Sequence, residues 1–249
     1  RRLLENGANS SFVNQIVDEN VAIDSLIRDP LALARLQGGL PHPSIALPLA
    51  MFGAERKNSA GIDLSNDDTL RALADGLALP HPWQAAPLID GAVSLNAPTL
   101  TICNPARHDD QVGKVAEACP ADVETALAAA SAYAMDWQTT EPSLRAHALL
   151  RAADLFEEHH VELMALAVRE AGKSLPNAIA EIREAVDFLR YYAAQVEHAP
   201  NTLALGPVTC ISPWNFPLAI FTGQLAAALA AGNVVLAKPA EQTPLIAHR

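Results

Sequence analysis

Apolar positions recur every three to four residues over several long stretches of this chain, and run unbroken in a few short ones. Phe12, Val13 and Ile16 fall at helix spacing within the first 29 residues, where Arg28-Asp29-Pro30 reads as a stop. From Pro30 to about Asn96 the pattern gives way to turn-forming sequence such as GGLPHPS and ALPHPWQAAP. A helix is predicted there at 67–77, behind the capping candidates Ser65 and Asn66. TLTICNP, from Thr99, predicts a short apolar strand ended by Asn-Pro. An Ala-rich helix follows with Asp122 as its N-cap. The next helix starts near Pro142, breaks near His159 and His160, and meets a C-cap at Gly172. A further amphipathic helix runs from Pro176 to about His198. Its apolar face carries Ile179, Ile182, Val186, Leu189 and then Tyr192 or Ala193.

The pattern then changes to strand, loop, helix, strand: GPVTCIS, PWNFP, LAIFTGQLAAALAAG and NVVLAKP. This is the length of a βαβ unit, whose crossover gives two parallel strands. Pro217 suits the first helical position and Gly232 lies just past the last apolar residue. Ligands of open parallel sheets bind beyond the carboxyl ends of the strands, and both PWNFP and KPAEQTP fall there. Each proline holds the residue before it extended, so Ser212 and Phe216 cannot continue into helix. The loop is stiff. Asn215 can donate two hydrogen bonds from it, which suits the negative oxygen of an acyl-transfer or aldehyde-addition transition state. The competing reading is an amide that satisfies backbone groups in a tight turn. At the end of the second strand, Lys238 and Glu241 are either surface charges or ribose ligands, Glu241 then opposing a 2'-phosphate. The G-x-G-x-x-G fingerprint is absent, so spacing alone leaves the cofactor open.

The 249 residues are half hydrophobic, enough for one large or two ordinary cores. A net charge of -11 argues against a nucleic-acid groove, which needs clustered Lys and Arg that are scarce here. Three cysteines, Cys103, Cys119 and Cys210, form no C-x-x-C pair, so a disulfide framework, a zinc site or any other metal site is not expected, and a reducing compartment fits. The apolar run 225–237 is too short to span a bilayer. The first and last residues read as cuts through larger units, so an interior piece of a longer protein is expected.

ISPWNFP, the Ala-rich helix after it and VVLAKPAEQTPLIA together resemble the aldehyde dehydrogenase superfamily. TICNPA, the Asp122 helix and REAGKSLPNAIAEIREAVDFLRYYA fit the same family. RRLLENGANSSFVNQIVDEN resembles the last helix of the proline dehydrogenase barrel. The two similarities on one chain resemble the bifunctional proline utilization A flavoenzymes. The implied fold is α/β: the N-terminal half of an aldehyde dehydrogenase NAD-binding, Rossmann-like domain at 97–249. A barrel helix at 1–29 and a linker at 30–96 would precede it.

The resemblance implies roles position by position. Asn215 matches the asparagine that stabilises the oxyanion formed when a cysteine attacks the aldehyde. Ile211, Ser212, Pro213 and Trp214 match the loop lining the cofactor cleft. Lys238 and Glu241 match the residues that hold the adenosine ribose, implying NAD rather than NADP in a family that lacks the glycine fingerprint. Glu181 matches a glutamate near the substrate's amino group, against the alternative of a solvated helix carboxylate. Arg1 and Arg2, with Glu5 in the same motif, match a pair that clamps the proline carboxylate over FAD, most of whose site would lie elsewhere. No cysteine falls in a nucleophile loop, Cys210 reading as a small core residue. The catalytic cysteine and general-base glutamate are expected beyond Arg249.

The implied activity is oxidation of proline to glutamate through glutamate semialdehyde. The expected partners are these small molecules and further copies of the chain, with no nucleic acid and no integral membrane segment. The expected setting is cytoplasmic, with peripheral association at the inner membrane face left open. A single-function aldehyde dehydrogenase and a non-catalytic binding or assembly module remain alternatives.

Overall fold

The computed structural model describes residues 11–41, 44–78, 83–94, 97–196 and 203–249. The chain divides into two compact units, Arg1–Leu47 and Pro48–Arg249. In the first, the expected helical stretch is two single turns, α1 (Phe12–Gln15) and α2 (Ile23–Leu26), and Phe12, Val13 and Ile16 are all more than half exposed. Arg28-Asp29-Pro30 starts a helix rather than stopping one. The Asp29 carboxylate accepts the Leu31 amide at 2.9 Å and Pro30 takes the first position of α3 (Pro30–Leu36). An Asp cap followed by Pro is a start signal, and here it outweighs the breaking tendency of Pro.

In the second unit, α4 (Asp67–Leu77) has the expected bounds, with the Asn66 side chain accepting from the Asp68 and Thr69 amides. The stretch before it is more than a spacer. Asn58 and Ser59 are buried, and Asp187 accepts from both the amide and the hydroxyl of Ser59, at 2.9 and 2.7 Å. Beyond α4 lie β1 (Trp83–Ala85), the hairpin β2 (Leu88–Ile89) and β3 (Ala92–Val93), then β4 (Thr99–Asn104) and β5 (Arg107–Ala116). β5 is the centre of a three-stranded sheet, parallel to β1 and antiparallel to β4.

α5 (Pro120–Thr139) begins at Pro120, so Asp122 is its third residue and not its cap. From there its carboxylate reaches back to accept the Cys119 amide at 2.8 Å, the N3 half of a capping box. α6 (Pro142–Glu158) and α7 (His160–Arg169) break at His159, as expected. Past α7, Gly172 adopts the left-handed φ of 66° that ends the helical run. α8 (Leu175–Gln195) is the spine of the unit, with Ala178, Ala185 and Val186 fully buried between its neighbours. Arg190, 3% exposed on α8, pairs with Glu157 of α6 at 2.8 Å. Asp154 and the Asn58 carbonyl complete the shell of this buried guanidinium.

The βαβ unit closes the chain: β6 (Pro207–Ile211), α9 (Ala219–Ala230) and β7 (Val234–Lys238), with β6 and β7 parallel. α9 starts two residues later than expected. Pro217 and Leu218 form a turn, and Leu218 occupies the N-cap. At its other end Gly232, at φ 85°, follows the Ala231 cap. A Cβ on Gly223 of α9 would meet the Phe188 ring of α8 at 2.8 Å, so only glycine allows this approach of the two helices. α10 (Pro244–His248) follows the loop after β7. No helix among the described residues is long and apolar enough to cross a membrane, and these residues form no His, Cys, Asp and Glu group suited to a metal.

Candidate active site

The carboxyl ends of β6 and β7 are in register, Ile211 opposite Lys238, so the two loops that follow leave the sheet side by side. The Ser212 amide donates to the Lys238 carbonyl at 3.1 Å, extending the pairing one residue into the loop. The Ser212 hydroxyl donates to Gln224 Oε1 at 2.9 Å, and Gln224 Nε2 donates back to the Ile211 carbonyl at 3.3 Å. This fixes the root of the loop on α9. Beyond it the side chains turn outward: Ile211 is 67% exposed and Trp214 55%, while Asn215 is exposed and Pro213 half-buried. Among the described residues no hydrogen bond engages the Asn215 amide, which weighs against its serving only to satisfy a turn.

Lys238 and Glu241 are exposed at the same edge, and Glu241 accepts from the neighbouring Gln242 amide at 3.0 Å. A carboxylate so placed keeps lone pairs for ribose hydroxyls and repels a phosphate, so the chemistry of these two side chains fits a dinucleotide without a 2'-phosphate. Ser212 differs from its neighbours. It is 6% exposed and its hydroxyl is committed to Gln224, so its side chain supports the loop from within. Cys210 is buried in β6 and burial pushes its thiol up, as befits a core residue and not a nucleophile.

Glu181 is not the solvated helix carboxylate of the alternative reading, being only 2% exposed. Its Oε2 accepts the amides of Leu218 and Ala219, at 3.2 and 2.9 Å, the first donors of α9. Its Oε1 pairs with Lys173 Nζ at 2.9 Å, and that ammonium lies 4.5 Å from the centre of the Phe216 ring, next to Asn215. Glu184 nearby is pushed up by burial and then by repulsion from Glu181.

Glu170 makes the same kind of contact and was missed from sequence. It is 3% exposed, and its two oxygens accept the Leu245 and Ile246 amides of α10 at 2.7 and 2.8 Å. Burial pushes its carboxyl up to about 7 against the pull of those two amides. One signal could have found it: an acid at a helix C-terminus opposes the helix dipole, and Glu170 is the C-cap of α7. Arg1, Arg2 and Glu5 lie outside the described residues.

Residues 93–249 match the aldehyde dehydrogenase family. The chain belongs to it. Bifunctional protein PutA of Klebsiella aerogenes is 54% identical over 262 residues, covering 99% of this chain and 20% of the relative. A crystal structure of bifunctional proline utilization A (PutA) is 38% identical at a TM-score of 0.74, covering 99% of this chain and 24% of that one. The 1-pyrroline-5-carboxylate dehydrogenase of Thermus with bound NAD is 30% identical at a TM-score of 0.73, over 77% of this chain and 41% of that one. The chain thus spans about a fifth of the length of the bifunctional relative. The mixed α/β architecture is that of the aldehyde dehydrogenase domain, as the resemblance implied.

Proposed function

We propose that this chain is part of a bifunctional oxidoreductase that converts L-proline to L-glutamate, and that residues 97–249 serve its second step. In that step glutamate semialdehyde, formed by opening of pyrroline-5-carboxylate, is oxidised. A thiolate from elsewhere in the enzyme forms a bond to the aldehyde carbon, and the carbonyl electrons move onto oxygen. Asn215, outward-facing and otherwise unengaged, donates to that oxygen. The nicotinamide cofactor, when bound, supplies the acceptor for the hydride leaving the same carbon. Water then cleaves the resulting thioester and releases glutamate. Ile211, Pro213 and Trp214 line the cofactor side of the loop, Ser212 holds it, and Lys238 with Glu241 takes the adenosine ribose. Glu181, matched by resemblance to a glutamate near the substrate's amino group, is sealed and has both oxygens engaged, so it acts behind the site and not in contact with that amino group.

The first step falls to an FAD-dependent proline dehydrogenase barrel, whose last segment would be 1–29, joined through 30–96; Arg1 and Arg2 would clamp the proline carboxylate. A homo-oligomer in the cytoplasm completes the reading. The observation that carries it is the side-by-side emergence of the Asn215 loop and the Lys238–Glu241 loop from paired strands. The test uses the complete protein bearing this sequence, purified with its cofactors. NAD reduction with glutamate semialdehyde, much slower with NADP, is expected, as is bleaching of a flavin by proline. NAD reduction without any flavin would restore a single-function dehydrogenase. Absence of NAD reduction with any aldehyde would overturn the reading.

A further inference from the structure

The oxyanion donor and the ribose ligands sit on separate loops, yet hydride transfer requires them to be set relative to one another. The loops meet directly at the strand pairing and at the Ser212–Lys238 backbone bond. Each loop then runs into a helix, and each helix starts on a buried carboxylate from the same helical block. Resting on the function proposed above, we infer that Glu181 and Glu170 are paired positioning residues: Glu181 sets the Asn215 loop by holding the start of α9, and Glu170 sets the Lys238–Glu241 loop by holding the start of α10.

The two grips are alike in chemistry. Glu181 Oε2 takes the Leu218 and Ala219 amides, and the two oxygens of Glu170 take those of Leu245 and Ile246. A carboxylate accepting backbone N–H groups makes charge-assisted bonds, stronger away from water, and the four amides would otherwise be orphan donors of helix termini. In each case the donors follow directly on a buried proline, Pro217 in the turn before α9 or Pro244 at the first position of α10, so the grip acts close to the loop it would orient. Both carboxylates sit on one rigid piece. Glu170 ends α7, Gly172 makes the turn, and Glu181 lies two turns into α8. The close packing at Gly223 against Phe188 fixes α9 to that piece. Lys173 adds a link on the Asn215 side alone, binding Glu181 and facing the Phe216 ring. The block therefore acts as a common reference for the two loops.

Two carboxylates that act on different loops must fail in different kinetic parameters, which a general loss of stability does not do. In the complete protein, Glu170→Gln places a donor against an amide. Measured above pH 7, where Glu170 is ionised, it is expected to raise KM and Kd for NAD about tenfold with kcat held within about twofold, the scale of one charge-assisted bond. Glu181→Gln is expected to lower kcat about tenfold while Kd for NAD stays within about twofold. Hydrogen exchange should quicken at the Leu245 and Ile246 amides in the first variant and at those of Leu218 and Ala219 in the second. Both variants shifting both parameters together, or losing activity only in proportion to the folded fraction, would overturn the inference. So would no change in either.

If a variant does not fold, exchange in the unmodified protein decides. The four amides must be protected well beyond the exposed loops, and free exchange at either pair rejects the assignment. If the unmodified protein does not reduce NAD, the proposed function fails while the exchange result still tests the two grips.

Discussion

Glu241 and Glu170 are both glutamates, and their surroundings give them different tasks. Glu241 is exposed beyond β7 with only a neighbouring amide on it, whereas Glu170 is sealed and holds two backbone donors. The acceptor role proposed for Glu241 predicts a change in cofactor preference. Glu241→Gln removes the charge that opposes a 2'-phosphate and should narrow the NAD-over-NADP preference in kcat/KM by about tenfold, about 1.4 kcal/mol. An unaltered ratio would separate Glu241 from the ribose. Sequence made Asn215, Lys238 and Glu241 legible because each stands in a local motif bounded by prolines. Glu170 was not legible in the same way, because its partners lie 75 and 76 residues away and only the fold brings them to it. Glu181 was legible as a residue of interest but not as a buried one, since helix periodicity does not reveal what lies at the next helix's end.

Among the elements, α4, α7 and α8 and the βαβ unit were readable from caps and periodicity, while β1 and β5 were not. β1 is three residues in a proline-rich stretch, and its identity comes from parallel pairing with Gly113 and from Trp83, whose indole donates to Glu162 at 3.2 Å. β5 carries the polar run RHDDQVGKVA, since its first half is largely exposed and its buried residues, Val112, Val115 and Ala116, all fall in the second half. In both, tertiary pairing overrides weak local preference. The joint between α7 and α10 also has a pH signature. The folded Glu170 carboxyl titrates at about 7 against an ordinary 4.5, so the fold keeps the proton to higher pH than the unfolded chain does. The corresponding stability is fully present below pH 4.5 and is lost as pH rises to about 7. Urea unfolding should therefore show the native protein losing on the order of 3 kcal/mol relative to Glu170→Gln over that window. Parallel profiles would mean that burial does not perturb this carboxyl.

At the scale of the molecule, the residues from Pro48 onward form one unit whose core joins the helical block to β1 and β5, and α9 ties the parallel pair of β6 and β7 to it. Family membership was readable because the ISPWNFP and VVLAKPAEQTP segments are the two carboxyl-end loops of that pair, and the family match begins at residue 93. The stretch before it read as linker because its order depends on distant partners: Ser59 is held by Asp187 and Asn58 by Arg190. In the function proposed above, Asn215 stabilises an oxyanion and has no structural task of its own. The direct test is Asn215→Ala in the complete protein, with glutamate semialdehyde turnover and NAD binding measured on the same preparation. The account predicts that kcat/KM falls about 10²–10³-fold while Kd for NAD and the melting temperature stay near those of the unmodified protein. Turnover within about threefold of the original, about 0.7 kcal/mol, or a loss that follows NAD binding or folding, would contradict it.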